Sequence, residues 1–113
     1  MTTDRPRLTA EDLGAPLGRR ATLVQFSSTF CAPCRATRRI LERLVATDDG
    51  VAHVELDVAA RTDLGRRFDV TVTPTVLVLD GDGVVVRRAS GPPSLAQARA
   101  AVLAAAGVAG YAG

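Results

Sequence analysis

At 113 residues, with 47% hydrophobic residues and a net charge of +2, the chain fits one domain, residues 1–113, with a single core. Its basic residues are all arginine and are nearly balanced by acidic ones, so the charge pattern argues against binding to nucleic acid. Because no apolar run reaches membrane-spanning length and the amino terminus has no apolar signal segment, we expect a cytoplasmic protein, or else the soluble domain of a membrane-anchored one.

Short elements are predicted at the start of the chain. Residues 1–8 show no periodic pattern and are expected to be flexible. Thr9 is placed to cap a short helix over residues 10–13. The apolar run ATLVQF, residues 21–26, then predicts a buried strand, because short apolar runs of this kind are typical of strands that are covered on both faces.

A helix and a second strand are predicted next. The helix begins at Cys31 or Cys34 and carries apolar residues at helical spacing along one face. The segment VAHVELD, residues 51–57, predicts a strand parallel to the first, since a helix between two strands favours a right-handed crossover. Three arginines on the other helix face are expected to be solvated, although they could also meet an acidic partner: Arg35, Arg38 and Arg39.

The second half of the chain predicts a helix and then a β-hairpin. A short helix covers residues 59–68 and contains a weakening glycine. A strand over residues 75–79 is followed by DGDG at residues 80–83, which is a hairpin turn signal. The returning strand therefore covers residues 84–88, antiparallel to the one before it.

A last helix completes the predicted architecture. Ser94 is placed to cap an alanine-rich helix that extends to about residue 106, and residues 107–113 are expected to be flexible. The order of elements predicts an α/β fold with three layers, in which helices cover both faces of a small mixed sheet.

The only two cysteines of the chain lie in the sequence FCAPC, where the first long helix is predicted to begin. The free N–H groups and the positive end of the helix dipole favour the thiolate form of Cys31. Cys34 follows one helical turn later, within reach of Cys31, and Pro33 fits the first turn and stiffens the ring. We therefore predict thiol–disulfide exchange, in which Cys31 attacks a substrate disulfide and Cys34 resolves the mixed disulfide.

Two other interpretations of the cysteine pair stay open. A zinc site needs a complete ligand set, and the chain offers only His53 besides the two cysteines, so a metal site would require a dimer or added carboxylates. The thiols could also be inert, in a binding module with little redox activity. The strand–CxPC–helix placement favours redox chemistry, for which neither a metal nor an organic cofactor is expected because the sulfur atoms carry the electrons.

Beyond the cysteine pair, the sequence resembles the thioredoxin family from about Leu23 to Leu103. The resemblance implies the thioredoxin fold, a protein-disulfide reductase activity, disulfide-containing protein substrates and a thioredoxin reductase or similar electron donor. We expect a monomer. The segments that carry the resemblance are LVQF, SSTFCAPC, VAHVELD, FDVTVTPTVLVLDGDGVV, Gly91 and the terminal amphipathic helix.

The resemblance also implies a substrate groove beside the cysteines. Pro74 would be a cis-proline that brings the backbone of Thr73 next to Cys31, where an extended substrate segment could pair as an added strand. Gly91 would allow close approach of backbone to the site. The residues expected to contact substrate are Phe30, Ala32, Pro33, Thr73, Pro74 and Gly91.

Four positions depart from the usual pattern of the family. Phe30 and Ala32 replace a tryptophan and a glycine, so the redox potential is expected to differ. Gln25 stands where a buried aspartate is typical, and His53 where a lysine is typical. Glutamine does not accept a proton at neutral pH, whereas histidine titrates there.

Gln25 and His53 therefore form a candidate proton relay for Cys34, and a plain buried hydrogen-bonding pair is the alternative. These departures leave a partner-restricted or envelope-type exchanger open beside a general reductase.

Overall fold

The computed structural model describes residues 5–107, in which a four-stranded sheet lies between two layers of helices. The strands are β1 (Ala21–Ser27), β2 (Val51–Asp57), β3 (Thr75–Asp80) and β4 (Val85–Ser90). The helices are α1 (Ala10–Leu13), α2 (Ala32–Ala46), α3 (Thr62–Arg67) and α4 (Leu95–Val102), with a π-helical turn at Leu103–Gly107. The predicted flexibility of residues 1–4 and 108–113 falls outside the described part.

The sheet is mixed and has the order β2-β1-β3-β4. Strands β1 and β2 run parallel, whereas β3 is antiparallel to both β1 and β4. The parallel pair is joined through α2, and the antiparallel pair β3–β4 is joined by the short DGDG turn. This topology confirms the predicted three-layer α/β fold.

The central strand β1 is buried along its whole length because helices cover both faces of the sheet. Val24 and Phe26 pack in the core on one face, which also contains Leu13 of α1 and Leu64 of α3. Side chains of alternate residues point the other way, so Leu23 packs in the second core with residues of α2 and α4. The same alternation places Gln25 on the α2 side of the sheet.

Helix α2 begins where the cysteine motif predicts. Cys31 is its N-cap residue and accepts a hydrogen bond from the backbone N–H of Cys34, while Pro33 lies in the first turn, where a missing N–H costs nothing. Leu41 and Leu44 bury the apolar face of the helix against the sheet. This packing fixes the start of the helix, and with it both sulfur atoms, relative to the sheet.

The expectation of a flexible amino terminus is wrong for residues 6–8. Leu8 is fully buried, and its N–H donates to the carbonyl of Gly83 at 2.9 Å. Val85 N–H in turn donates to Pro6 O at 2.9 Å. The segment pairs with the hairpin because Leu8 fills an apolar gap and the hairpin edge leaves backbone groups that need partners.

Strands β1, β3 and β4 end one or two residues beyond their predicted ends, and two helices differ more from the sequence prediction. Helix α3 begins at Thr62 rather than at residue 59, because the Asp57 carboxylate accepts the N–H of Ala59 and holds that residue in a turn. Helix α4 ends at Val102, and the π-helical turn continues the chain to Gly107. Neither change moves the cysteine motif.

Candidate active site

Cys31 and Cys34 form a disulfide at the amino terminus of α2, with their Cα atoms 5.2 Å apart. Cys31 is partly exposed, whereas Cys34 is buried, with 1% of its surface accessible. The N–H of Cys34 lies 3.2 Å from the sulfur of Cys31. An N–H donor and a helix amino terminus both stabilise an anion, so the accessible sulfur is also the one placed to become a thiolate.

The loop before β3 lies beside the disulfide. The Thr73–Pro74 peptide bond is cis, which confirms the isomer that the family resemblance implied. Thr73 presents two atoms to Cys31 Sγ: its carbonyl oxygen at 3.9 Å and its Oγ1 at 3.8 Å. The backbone of Thr73 thus lies next to the reactive sulfur, as the resemblance implied.

Gly91 is held against this loop by its N–H, which donates to Pro74 O at 2.8 Å. Its φ of +85° is a conformation that glycine adopts at little cost. A Cβ at this position would meet no atom within 4 Å. The backbone angle therefore favours glycine at this position, whereas contacts with neighbouring atoms do not require it. The space that a side chain would enter is open.

Exposed apolar side chains lie in the two segments that contain Cys31 and Thr73. Phe30 is 96% exposed and Val72 is 49% exposed, although both are large and hydrophobic. Ala32 and Pro33 are also exposed. An exposed apolar rim is typical of surfaces that bind another molecule. The sequence predicted Phe30, Ala32 and Pro33 in this role but missed Val72.

Gln25 lies beneath the cysteines and is fully buried. Its Nε2 donates to the carbonyl of Cys34 at 2.9 Å and to Ser27 Oγ at 3.0 Å. Its Oε1 lies 3.0 Å from Nε2 of His53. An amide oxygen only accepts, so the proton of the neutral imidazole is on Nε2. The structure thus brings together the two residues that the sequence proposed as a relay.

A charged pair flanks this buried amide. Arg38 binds the Glu55 carboxylate through two hydrogen bonds, from Nε at 2.6 Å and from Nη2 at 3.0 Å. Ser27 Oγ donates to the same carboxylate at 2.7 Å. The helical pattern suggested that Arg38 is solvated. It forms an ion pair instead, because the neighbouring strand places the Glu55 carboxylate within its reach.

The environment shifts two pKa values in this cluster. The hydrogen bond from Arg38 is the main reason that the pKa of Glu55 is lowered, which keeps its carboxylate ionised. Burial is the main reason that the pKa of His53 is lowered, which keeps the imidazole neutral at pH 7. The cluster beneath Cys34 therefore holds one balanced ion pair and one neutral base.

Sequence reasoning missed several members of the site because contacts between distant segments of the chain bring them together. Gln25 and Glu55 are register partners in the parallel pair β1–β2, and residues His53 and Glu55 alternate onto the same face. That register was the available signal for Glu55. The residues not identified from the sequence are Ser27, Ser28, Arg38, Glu55 and Val72.

Clusters of metal-ligating side chains and membrane-spanning helices are both absent from residues 5–107. In that part of the chain, no group of three or more histidine, cysteine, aspartate and glutamate side chains is arranged to hold a metal ion. Within the same range, every helix is too short or too polar to cross a bilayer.

Comparison with known proteins identifies relatives of this chain. The sequence model of the family described as thioredoxin matches residues 10–103. A thioredoxin of Mycolicibacterium smegmatis is 34% identical over 74% of this chain and 73% of its own length. A thioredoxin of Staphylococcus saprophyticus is 38% identical, and the match covers 55% of this chain but only 62% of that protein.

A solved structure shows the same architecture. The X-ray structure of Fasciola hepatica thioredoxin superimposes with a TM-score of 0.69 at 26% identity. The superposition covers 78% of this chain and 83% of the other. The structural similarity therefore extends over most of the domain, and the family match at residues 10–103 includes the cysteine pair.

Proposed function

This chain belongs to the thioredoxin family, and we propose from that membership and its Cys31–Cys34 disulfide that it is a thiol–disulfide oxidoreductase acting on proteins. The observation that carries the proposal is the disulfide itself. Its accessible sulfur caps a helix and receives the N–H of Cys34, and the second sulfur is buried behind it. This asymmetry gives the two cysteines different roles.

The reaction uses the two sulfurs in turn. The Cys31 thiolate attacks one sulfur of a substrate disulfide, which forms a mixed disulfide and releases the other substrate sulfur as a thiolate. Cys34 then loses its proton and attacks Cys31, which releases the second substrate sulfur and closes the Cys31–Cys34 bond. Two electrons pass from the protein to the substrate, and no cofactor takes part.

The substrate groove is proposed from the contacts around Cys31. The backbone of Thr73, 3.9 Å from the sulfur through its carbonyl oxygen, is placed to pair with an extended segment of a protein. The exposed rim of Phe30, Ala32 and Pro33 supplies apolar contact, and the open space over Gly91 leaves room for the backbone of the substrate. Pro74 holds this loop against the disulfide.

The partners and setting proposed for the protein follow from this chemistry. Its substrates are proteins with accessible disulfides, and a thioredoxin reductase or a similar dithiol donor reduces it again. We propose that it works as a cytoplasmic monomer. A glutathione equilibrium separates a general reductase, with a potential near ~−270 mV, from an oxidising exchanger, with a potential near ~−120 mV.

A trapping experiment tests the proposed function. Cys34→Ser leaves the attacking sulfur but removes the resolving one, so mixed disulfides with substrate proteins should accumulate on Cys31. Denaturing gels without reductant, followed by mass spectrometry of the linked cysteine, measure the product. The matched control is Cys31→Ser, which should trap nothing because Cys34 is buried.

Failure of the Cys34→Ser variant to form any reductant-sensitive adduct with a disulfide protein such as insulin would refute the exchange activity. Equal trapping by both variants would refute the assigned order of the two cysteines.

Gln25 and His53 are proposed to serve the second step. Gln25 donates to the Cys34 carbonyl, so its amide positions the resolving cysteine and does not accept the thiol proton. His53 is neutral because burial lowers its pKa, and when Nε2 holds the proton, Nδ1 is the ring nitrogen that can accept another. We therefore propose His53 as the proton acceptor for Cys34, reached through water.

His53→Ala should slow release of the mixed disulfide about tenfold to a hundredfold while leaving the initial attack by Cys31 unchanged. Stopped-flow reduction of a disulfide substrate separates the two steps. His53→Gln is the control that keeps a donor to Gln25 without a titrating group. If release is as fast in His53→Ala as in the unchanged protein, the histidine is only a hydrogen-bonding partner.

A further inference from the structure

One hydroxyl group contacts the reactive sulfur and a second contacts the first, and neither takes part in the steps above. Thr73 Oγ1 is 3.8 Å from Cys31 Sγ, within hydrogen-bonding range for a sulfur acceptor. The same Oγ1 is 2.8 Å from Ser28 Oγ. Ser28 follows β1, and Thr73 precedes the cis-proline. These contacts therefore link the end of the central strand, through the loop, to the sulfur.

Reduction changes what the sulfur can accept. A dithiol donor that becomes a disulfide supplies two electrons, which break the Cys31–Cys34 bond. Cys34 takes up one of the two protons, the other goes to water, and Cys31 is left as a thiolate. A sulfur in a disulfide is a weak acceptor, whereas a charged acceptor forms hydrogen bonds about twice as strong as neutral ones.

We propose that Ser28 and Thr73 act as a hydroxyl chain, in which Ser28 donates to Thr73 and Thr73 donates to the Cys31 thiolate. The direction follows because each hydroxyl has one hydrogen, so Thr73 donates to sulfur only when Ser28 donates to Thr73. Hydrogen bonds in one direction polarise each other, which makes Ser28 a positioning residue that acts through Thr73. This proposal rests on the proposed function, since it concerns the same thiolate.

Thr73 also carries a group that opposes the thiolate. Its carbonyl oxygen, 3.9 Å from Cys31 Sγ, accepts a hydrogen from the thiol form and repels the anion. The hydroxyl offsets this effect. Valine has nearly the shape of threonine and keeps the carbonyl but not the hydroxyl, so Thr73→Val isolates the contribution of the hydroxyl.

Other influences on the sulfur are constant across this comparison. The backbone N–H of residue 34, which lies 3.2 Å from Cys31 Sγ in the disulfide, and the helix amino terminus are common to every variant compared. The charged residues of the flanking elements, Arg35 on α2, Asp57 at the end of β2 and the Arg38–Glu55 pair beneath, are also retained. Any shift between the variants therefore reports on the two hydroxyls.

The test measures the acidity of Cys31 by the pH dependence of its alkylation with iodoacetamide, in the Cys34→Ser background where it is the one remaining thiol. Thr73→Val should raise the measured pKa of Cys31 by about one unit, and Thr73→Ser should restore it. Ser28→Ala should raise it by less, and should have no further effect when combined with Thr73→Val.

Thr71→Val and Thr29→Ala are the matched controls, since both residues are exposed neighbours of the chain, and neither should move the pKa of Cys31. An unchanged pKa in Thr73→Val would overturn the proposal. So would an effect of Ser28→Ala that is the same with and without Thr73→Val, because Ser28 would then act independently of Thr73.

A second readout uses the intact dithiol. Loss of thiolate stabilisation should lower the equilibrium constant for reduction by glutathione up to about tenfold in Thr73→Val, which corresponds to about 30 mV. Insulin reduction by the unchanged protein is measured in parallel. Absence of that activity would refute the proposed function but not the hydroxyl chain, whereas normal activity with an unshifted pKa in Thr73→Val would refute the chain alone.

Discussion

Gln25 places an uncharged amide beneath the disulfide, at a position where the family resemblance implies a buried carboxylate. Gln25 donates its two N–H groups to the Cys34 carbonyl and to Ser27 Oγ, and its oxygen accepts a hydrogen bond from His53. The negative charge lies instead on Glu55 of the adjacent strand, where Arg38 balances it. Because Gln25 carries no charge, it provides a hydrogen-bonding frame for the resolving cysteine without the cost of burying an ion.

The neutral state of His53 predicts a specific pH dependence of stability. Burial lowers its folded pKa below the ordinary value of 6.5, so the unfolded chain binds the proton more readily. The free energy of unfolding should therefore have its full value above pH 6.5 and decrease as the pH falls below 6.5. His53→Gln should flatten this part of the profile, by less than ~1.4 kcal/mol per pH unit.

Urea unfolding between about pH 4 and pH 8, a range that brackets the ordinary pKa of histidine, measures this difference. The depressed pKa of Glu55 acts separately: its contribution is present above the ordinary value of 4.5 and is lost only at lower pH. Loss of stability that begins near pH 6.5 in both the unchanged protein and His53→Gln would contradict the assignment to His53.

Among the connecting elements, the β3–β4 hairpin shows how a turn determines more than its own conformation. Asp80 Oδ1 accepts the backbone N–H groups of Asp82 and Val84, which closes the turn that the sequence DGDG predicted. Gly83 has a φ of +85° and packs directly against the carbonyl of Leu8. The turn therefore also anchors the amino-terminal segment that precedes α1.

Gly83→Ala and Gly91→Ala should lower the free energy of unfolding by different amounts, although both glycines have a φ of +85°. Each alanine must adopt a left-handed conformation, which costs about 1–2 kcal/mol. At Gly83 the added Cβ also collides with the Leu8 carbonyl, whereas at Gly91 it enters open space. We expect Gly83→Ala to lower the free energy of unfolding by at least ~2 kcal/mol more than Gly91→Ala does.

Thermal and chemical unfolding of the two variants measure the difference. Equal losses would show that the contact with Leu8 relaxes freely and that the backbone angle alone determines the cost.

Across the whole molecule, the amino-terminal segment closes the side of the core that α2 does not cover. Leu8 is 0% exposed and packs in the same cluster as Phe26 and Leu77. A segment without regular structure therefore contributes to the core as a helix or strand residue would, because burial depends on position in three dimensions and not on secondary structure.

Leu8→Ala should destabilise the domain by about 2–5 kcal/mol, the usual cost of a cavity at a fully buried leucine. Leu103→Ala is the matched control, because Leu103 is 61% exposed and should cost less than about 1 kcal/mol. Guanidinium unfolding gives both values. A flexible amino terminus, as the sequence pattern suggested, would instead make the two substitutions equally mild.

Local patterns were sufficient to predict the order of elements, the helix that begins within the cysteine motif, the DGDG hairpin and the dithiol. These features depend on periodicity, turn residues and a short motif, all of which act between near neighbours in the chain. The cis isomer of Thr73–Pro74 was also predicted, although from the family resemblance and not from the residues themselves.

Contacts between distant segments emerged only in the folded arrangement. Ser28 meets Thr73 across 45 positions, Gln25 meets His53 across 28, and Leu8 meets Gly83 on the hairpin. Strand register and turn geometry determine these pairings, and neither can be predicted from the residue pattern of a single segment. The identity of the reactive sulfur is therefore a local property, whereas the groups that surround it are a property of the fold.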